Sequence, residues 1–273
     1  MNKFYNYFVV IGITLGVLTL MRWNAVNNYS NFADGTSNKF IEDGERHFKN
    51  LRQLTFSGEN AEAYFSPDSK ELIFQAHDGE GKCDQIYTMD LKTGEIKMVS
   101  TGKGVTTCAF FLYPNKNKFV YASTHHKNDN CPPKPDMSRG YVWKLYEDYD
   151  VFSSNRTGSE INQLTSENGY DAEATVSMDG SRIVYTSISS GDLEIWTMNT
   201  DGTDKRMLTN ELGYDGGPFF SHDGKKIIWR AYYPQTDEEI KDYKSLINQS
   251  MIRPMNLQIR TMNSDGTNKK QIT

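Results

Sequence analysis

Residues 220–231 read FSHDGKKIIWRA, and the same design recurs at 65–76 (FSPDSKELIFQA), 112–123 (LYPNKNKFVYAS) and 176–187 (VSMDGSRIVYTS). Each copy is a short apolar-aromatic run, a polar turn and an alternating strand, the signature of a hairpin with one face against a core. A second register follows each copy: QIYTMDLKTGEIKMVS (85–100), DVFSSNRTGSEINQLT (150–165), EIWTMNTDGTDKRMLT (194–209) and QIRTMNSDGTNKKQIT (258–273). These read as strand, Gly-containing turn, strand. The turn glycines Gly94, Gly158, Gly202 and Gly266 are spaced 64, 44 and 64 residues apart, so the unit is 44 residues and two units carry insertions. Four antiparallel strands at this period make a propeller blade, because one four-stranded sheet cannot bury both faces alone and stacking blades around an axis does so.

The Ser-Pro-Asp-Ser-Lys, Ser-Met-Asp-Gly-Ser and Ser-His-Asp-Gly-Lys turns, with the Ile-Tyr-Thr-Met-Asp and Leu-Thr segments, resemble the TolB-type propeller repeat over nearly everything after residue 50. The resemblance implies an all-β propeller of four-stranded antiparallel blades, four of them visible, within a six-bladed ring. A polar tether stands where TolB-like proteins carry an α/β domain. Asp68, Asp179 and Asp223 are expected to bond the amides of their own turns. Leu51–Thr55 matches the outer strand of a blade and precedes the first inner strand, so it is expected as an orphan outer strand or an edge cap.

The 273 residues divide into 1–24, an apolar segment; 25–50, the tether; and 51–273, the propeller. The run FVVIGITLGVLTLM (8–21), bracketed by Lys3, Arg22 and Trp23, predicts an N-terminal hydrophobic helix. It is read as an uncleaved signal anchor before a cleaved signal peptide, which places the protein at the membrane, in the periplasm or outside the cell. With 37% hydrophobic and 24% charged residues and a net charge of −5, the chain lacks the basic face that nucleic acid requires.

Both insertions, about His125–Glu147 and Pro234–Pro254, join the second and third strands of their blades and so rise on one face, where function is expected. In the second, Thr236 or Asp237 caps a short helix whose Ile240, Tyr243, Leu246 and Ile247 recur at helical spacing. The blade-to-blade loops GENAEA (58–63), GYDAEA (169–174) and GYDGGP (213–218) open on that face. They align Asn60 with Asp171 and Asp215, and Glu62 with Glu173. With Glu59, Tyr170 and Tyr214 these form a candidate rim for a cation, a metal ion or a basic peptide terminus, and carboxylates so gathered demand a counter-charge.

His125, His126 and Asp129 are the candidate ligands for a divalent metal ion. Cys83, Cys108 and Cys131 all approach the same face; Cys108–Cys131 is the first disulfide expected and Cys83–Cys108 the alternative, with one thiol left over. No catalytic residue is assigned, since His-Glu-x-x-His, Gly-x-Ser-x-Gly and phosphate-cradling loops are missing from the sequence. The function expected is therefore binding of a protein, peptide or cell-wall ligand. The alternative is an enzyme or accessory domain of a hydrolase or lyase using a rim metal.

Overall fold

The computed structural model describes residues 41–48, 51–79, 81–138 and 140–273. The apolar N-terminal segment and most of the tether lie outside the described residues. Among the described residues no helix is long and apolar enough to cross a membrane. Gly58–Thr88 and Lys97–Thr273 form one compact unit, which carries the site described below.

The described chain forms four blades, each a four-stranded antiparallel sheet. Blade 1 is β1 (Glu59–Phe65), β2 (Glu71–His77), β3 (Gln85–Asp90) and β4 (Ile96–Met98). Blade 2 is β5 (Thr106–Leu112), β6 (Asn115–Ser123), β8 (Asp150–Asn155) and β9 (Ile161–Gln163), with β7 (Trp143–Lys144) in its insertion. Blade 3 is β10 (Asp171–Val176), β11 (Arg182–Ser187), β12 (Glu194–Asn199) and β13 (Arg206–Met207). Blade 4 is β14 (Tyr214–Phe220), β15 (Lys226–Tyr232), β17 (Gln258–Asn263) and β18 (Lys270–Gln271), with α1 (Asp237–Ile247) and β16 (Met251–Ile252) in its insertion. Leu51–Thr55 forms no strand, a correction to the sequence reading. Each of the four described blades already has its own outer strand, so none of them offers it a ladder position.

The turn aspartates behave as expected: Asp179 accepts from the Ser181 amide at 3.1 Å, and Asp223 from the Lys225 amide at 3.1 Å. Each turn also has a serine two residues earlier donating to the aspartate, as Ser66 does to Asp68 at 2.8 Å. These bonds close the hairpins and fix which face of each strand turns inward.

All four inner strands carry a bulge at the same place. The register shifts between Ala61 and Tyr64, between Thr107 and Phe110, between Ala172 and Thr175, and between Gly216 and Phe219. The extra residue is left-handed each time: Glu62 (φ 52°), Cys108 (52°), Glu173 (56°) and Gly217 (60°). Opposite each bulge sits a buried aromatic, Phe74, Tyr121, Tyr185 or Trp229. Side chains on a left-handed backbone cost stability, and here the geometry turns four equivalent residues toward one cavity.

Blades stack through both sheet faces. Val184 and Ile195 of blade 3 pack with Ile227, Trp229 and Ala231 of blade 4, and Val120 and Val151 of blade 2 with Ala174, Val176 and Ile183 of blade 3. Ile73, Val120 and Val184 occupy equivalent positions and are 0% exposed, whereas their counterpart Ile228 in blade 4 is 42% exposed. Truncating Ile195 to Ala is therefore expected to cost about 2–5 kcal/mol, and truncating Ile228 to Ala less than about 1 kcal/mol. Denaturant unfolding of both variants checks this, and equal losses would contradict the assigned stacking.

Candidate functional site

The two insertions meet. Met251 pairs with Lys144 and Ile252 with Trp143 in a two-stranded antiparallel ribbon, extended by the Leu145 amide donating to the Ser250 carbonyl at 2.8 Å. Lys144 Nζ adds a bond to the Gln249 carbonyl at 2.8 Å. Segments about a hundred residues apart in sequence thus build one ridge on one face.

Helix α1 stands beside the ribbon. Thr236 accepts from the Glu239 amide, and the Glu239 carboxylate accepts from the Thr236 amide, a reciprocal cap. Asp237, Glu238 and Glu239 sit in the first turn and Lys244 in the last, each matching the helix dipole. Tyr243 and Leu246 are its buried residues. Tyr243 donates from its hydroxyl to Asp192 at 2.5 Å, which ties the helix to blade 3. Between α1 and the chain at Arg253–Asn256 lies a groove of about 560 Å³ whose floor includes Tyr232, Tyr243 and Met255.

The second feature is a cavity of about 290 Å³ bordered by all four inner strands. Glu62, Cys108, Glu173 and Gly217, the four bulge residues, line it together with Tyr64, Phe219, Ile228 and Arg230. Arg230 Nη2 lies 2.6 Å from Glu173 Oε1. Glu173 Oε2 accepts from the Thr186 hydroxyl and the Gly217 amide, both at 2.8 Å. A Cβ on Gly217 would fall 2.5 Å from Arg230 Nη2, so glycine at this bulge leaves the guanidinium its place. Burial works against a charged Arg230, but the Glu173 carboxylate, with Glu62 beyond it, holds it protonated. Glu62 accepts from the Tyr64 hydroxyl. Burial, then that Glu62 bond, raises the Tyr64 phenol. Burial, then Glu62 and Glu173, pushes up the Cys108 thiol, so Cys108 is a neutral liner. Two carboxylates facing one guanidinium leave the cavity one negative charge in excess.

Of the sequence-derived rim, the structure thus gathers Glu62 and Glu173. Glu59 stands apart, its Oε1 3.7 Å from His77 Nε2. Asp171 and Asp215 are buried in the seams between blades. Tyr214 is buried with Trp143 against it, ring centroids 6.4 Å apart, and Tyr170 packs edge-on to Tyr149. Arg230 was not singled out from sequence, because the repeats place Gln75, Ala122 and Thr186 at its position, opposite the residue before each bulge. The demand for a counter-charge was the available signal.

The three metal candidates do not converge. Asp129 pairs with Lys103 at 2.9 Å, His126 Nε2 lies 2.9 Å from Asp150, and the His125 ring packs on Phe152 with centroids 4.4 Å apart. Burial, then His126, lowers the His125 pKa, which keeps that ring neutral. Among the described residues no group of three or more His, Cys, Asp or Glu is placed to hold a metal ion.

The expected disulfide is corrected as well. Cys83 bonds to Cys131, with Cα atoms 5.4 Å apart, and Cys108 is the free thiol. The bulge turns Cys108 into the cavity, out of reach of both loop cysteines.

These features define a β-propeller with a built face and an axial cavity. No family model matches the sequence. Among solved structures, TolB from Acinetobacter baumannii is similar at 22% identity and a TM-score of 0.56, over 81% of this chain and 45% of that one. An oligogalacturonate lyase in complex with manganese is similar at 18% identity and a TM-score of 0.51, over 81% of this chain and 55% of that one. A putative TolB from Agrobacterium tumefaciens aligns over 78% of this chain at 17% identity and a TM-score of 0.44. This chain thus has the TolB-like β-propeller fold and spans about half the length of the first two proteins.

Alkylation of the native protein at pH 7 followed by peptide mapping is expected to return an intact Cys83–Cys131 bridge and a Cys108 that reacts far more slowly than after unfolding, because its half-buried thiol is held protonated. Recovery of Cys108 in a disulfide would overturn the placement of the inner-strand bulge.

Proposed function

We propose that this chain is a binding propeller of the cell envelope, which docks a protein or peptide on its ribbon-and-helix face and receives a cationic group of that partner in the axial cavity. The observation that carries this reading is the pairing of the two insertions. A ribbon closed across blades 2 and 4, flanked by a capped helix and a groove, is a preorganised surface, and preorganisation is what lets a surface bind without a large ordering cost. Glu62 supplies the charge preference, because Glu173 is already matched by Arg230. Tyr64 and Phe219 offer aromatic faces to a cation.

An envelope location is supported by the apolar run at residues 8–21 and by the Cys83–Cys131 bridge, since disulfides persist in oxidising compartments. The six-bladed ring implied by the resemblance would bury Ile228 as its equivalents in blades 1–3 are buried. Binding is favoured over rim-metal catalysis because His125, His126 and Asp129 each have separate partners.

The test is a peptide array with free and acetylated amino termini, and with lysines replaced by norleucine, probed with the full chain. Binders are expected to lose about tenfold in affinity, about 1.4 kcal/mol, when their amine is removed or when Glu62 is replaced by Gln. Binding that ignores both changes would refute the cationic-group reading.

A further inference from the structure

The axial cavity carries a donor set as well as its carboxylates. Glu62 and Arg230 line the same space of about 290 Å³, which is at the small end of ligand-sized cavities. No other blade has a cation at this place: Gln75, Ala122 and Thr186 are the equivalents of Arg230.

Arg230 is fixed from two sides. Its Nη2 donates to Glu173 Oε1 at 2.6 Å, and its guanidinium carbon lies 5.4 Å from the centre of the Trp143 ring. A guanidinium has five N–H donors. Among the described residues Nε and Nη1 find no acceptor, and the side chain is 34% exposed. Glu62 shows the converse. Its Oε2 accepts from the Tyr64 hydroxyl, and its Oε1 has no donor among the described residues. The Tyr214 hydroxyl is buried and also unpaired. A Cβ at Gly216 would meet both this hydroxyl and Glu173 Oε2, the latter at 2.7 Å. Glycine there leaves a polar spot beside the carboxylate that holds Arg230. An unpaired buried hydroxyl is costly, which favours a polar occupant next to it.

An occupant must therefore bring a positive charge to Glu62 and an acceptor to Arg230 within one small space. Charge narrows the choice. Glu62 and Glu173 against Arg230 leave one negative charge in excess, so one positive charge balances the site. A lysine ammonium has that charge, but only methylenes surround it and no acceptor comes with it. A free amino acid has both groups, but its carboxylate cancels its charge and is set against Glu173. The first residue of a peptide meets both demands: a positive α-ammonium and an uncharged carbonyl oxygen, held together by one Cα.

We propose that the axial cavity receives the free N-terminus of a peptide or protein, with the α-ammonium at Glu62 Oε1, the first carbonyl oxygen at the open N–H groups of Arg230, and an apolar first side chain against Phe219, Ile228 and Ile259. This rests on the cationic-group reading above and names the cation. Both polar contacts have one charged partner, which makes them the stronger kind of hydrogen bond. Arg230 needs no reordering to donate, because Glu173 and the Trp143 ring already hold it. Trp143 belongs to the ribbon, so the ribbon proposed to carry the partner also orients the donor that reads the partner's end.

The test titrates the wild-type full chain with Phe-Gly-Gly amide by calorimetry, beside four controls. These are its N-acetyl form, the form whose first amide is replaced by a trans-alkene of the same shape, acetyl-Lys-Gly-Gly amide, and free phenylalanine. Phe-Gly-Gly amide is expected to bind, and each control to bind at least about tenfold more weakly. Glu62→Gln is expected to weaken the first peptide by about tenfold. Arg230→Met is expected to bind the amide and alkene forms alike, a loss of discrimination that structural damage alone would not produce. Should Arg230→Met not fold, the amide-to-alkene ratio in the wild type decides. Equal binding of the alkene form, or of acetyl-Lys-Gly-Gly amide, would overturn the N-terminal site and leave the cationic-group reading standing. Equal binding of free phenylalanine would overturn the peptide as occupant. Binding indifferent to both acetylation and Glu62→Gln would overturn both readings, and no binding of Phe-Gly-Gly amide at millimolar concentration would overturn the N-terminal site alone.

Discussion

A four-stranded sheet has two apolar faces and no means of covering both, and the stacking of one sheet on the next is the constraint on which this molecule rests. Val184 and Ile195 are dry because Ile227 and Trp229 lie on them. The same contact sets the positions of the inner strands, and these in turn set the cavity. A bulge at one level of every inner strand is the local consequence: it bends the strand, seats an aromatic behind it and directs one residue inward. The chain tolerates a left-handed glutamate or cysteine there because the surrounding packing determines the backbone more strongly than the side chain does.

Charge is then distributed by depth. At the axis, Glu173 is fully occupied by Arg230, Thr186 and Gly217, which leaves Glu62 to define the cavity's preference. In the seams, acids are held where water is excluded, so burial keeps a proton on them that an exposed carboxyl would lose; Asp171 is pushed up to about 7 in this way. At the periphery, aspartates such as Asp201 and Asp265 accept from their own turns and are held below the usual carboxylate range. The carboxyl group thus performs three tasks, and position in the blade decides which.

Much of this was legible in the sequence. The repeat gave the strand order within each blade, the α1 cap was readable from Thr236 and Glu239, and the common face of both insertions followed from the strands they join. What escaped was whatever depends on a single register shift. Alternation alone does not show that Glu62, Cys108, Glu173 and Gly217 are bulged, so Cys108 is expected to pair with Cys131, or else with Cys83, whereas those two bond each other. Aligned acids looked like one rim, yet Asp171 and Asp215, two positions before Glu173 and Gly217, point into seams. Arg230 stood at a position where the other repeats carry Gln, Ala and Thr, and only the third dimension pairs it with Glu173. The histidines failed as a metal site because neighbouring loop residues were drawn to different partners, Asp150 and the Phe152 ring.

The functional argument depends on two excursions from different blades closing over one rim. Lys144 and Met251 face each other in the ribbon as a non-hydrogen-bonded pair, since it is the neighbouring Leu145 amide that bonds Ser250, and such pairs have the short Cα separation a cross-strand disulfide requires. Replacing both by Cys and analysing the oxidised full chain by peptide mass mapping is the most direct measurement. The account predicts a 144–251 bridge that forms in the native protein without loss of fold. Two free thiols at these positions in folded, oxidised protein would contradict it.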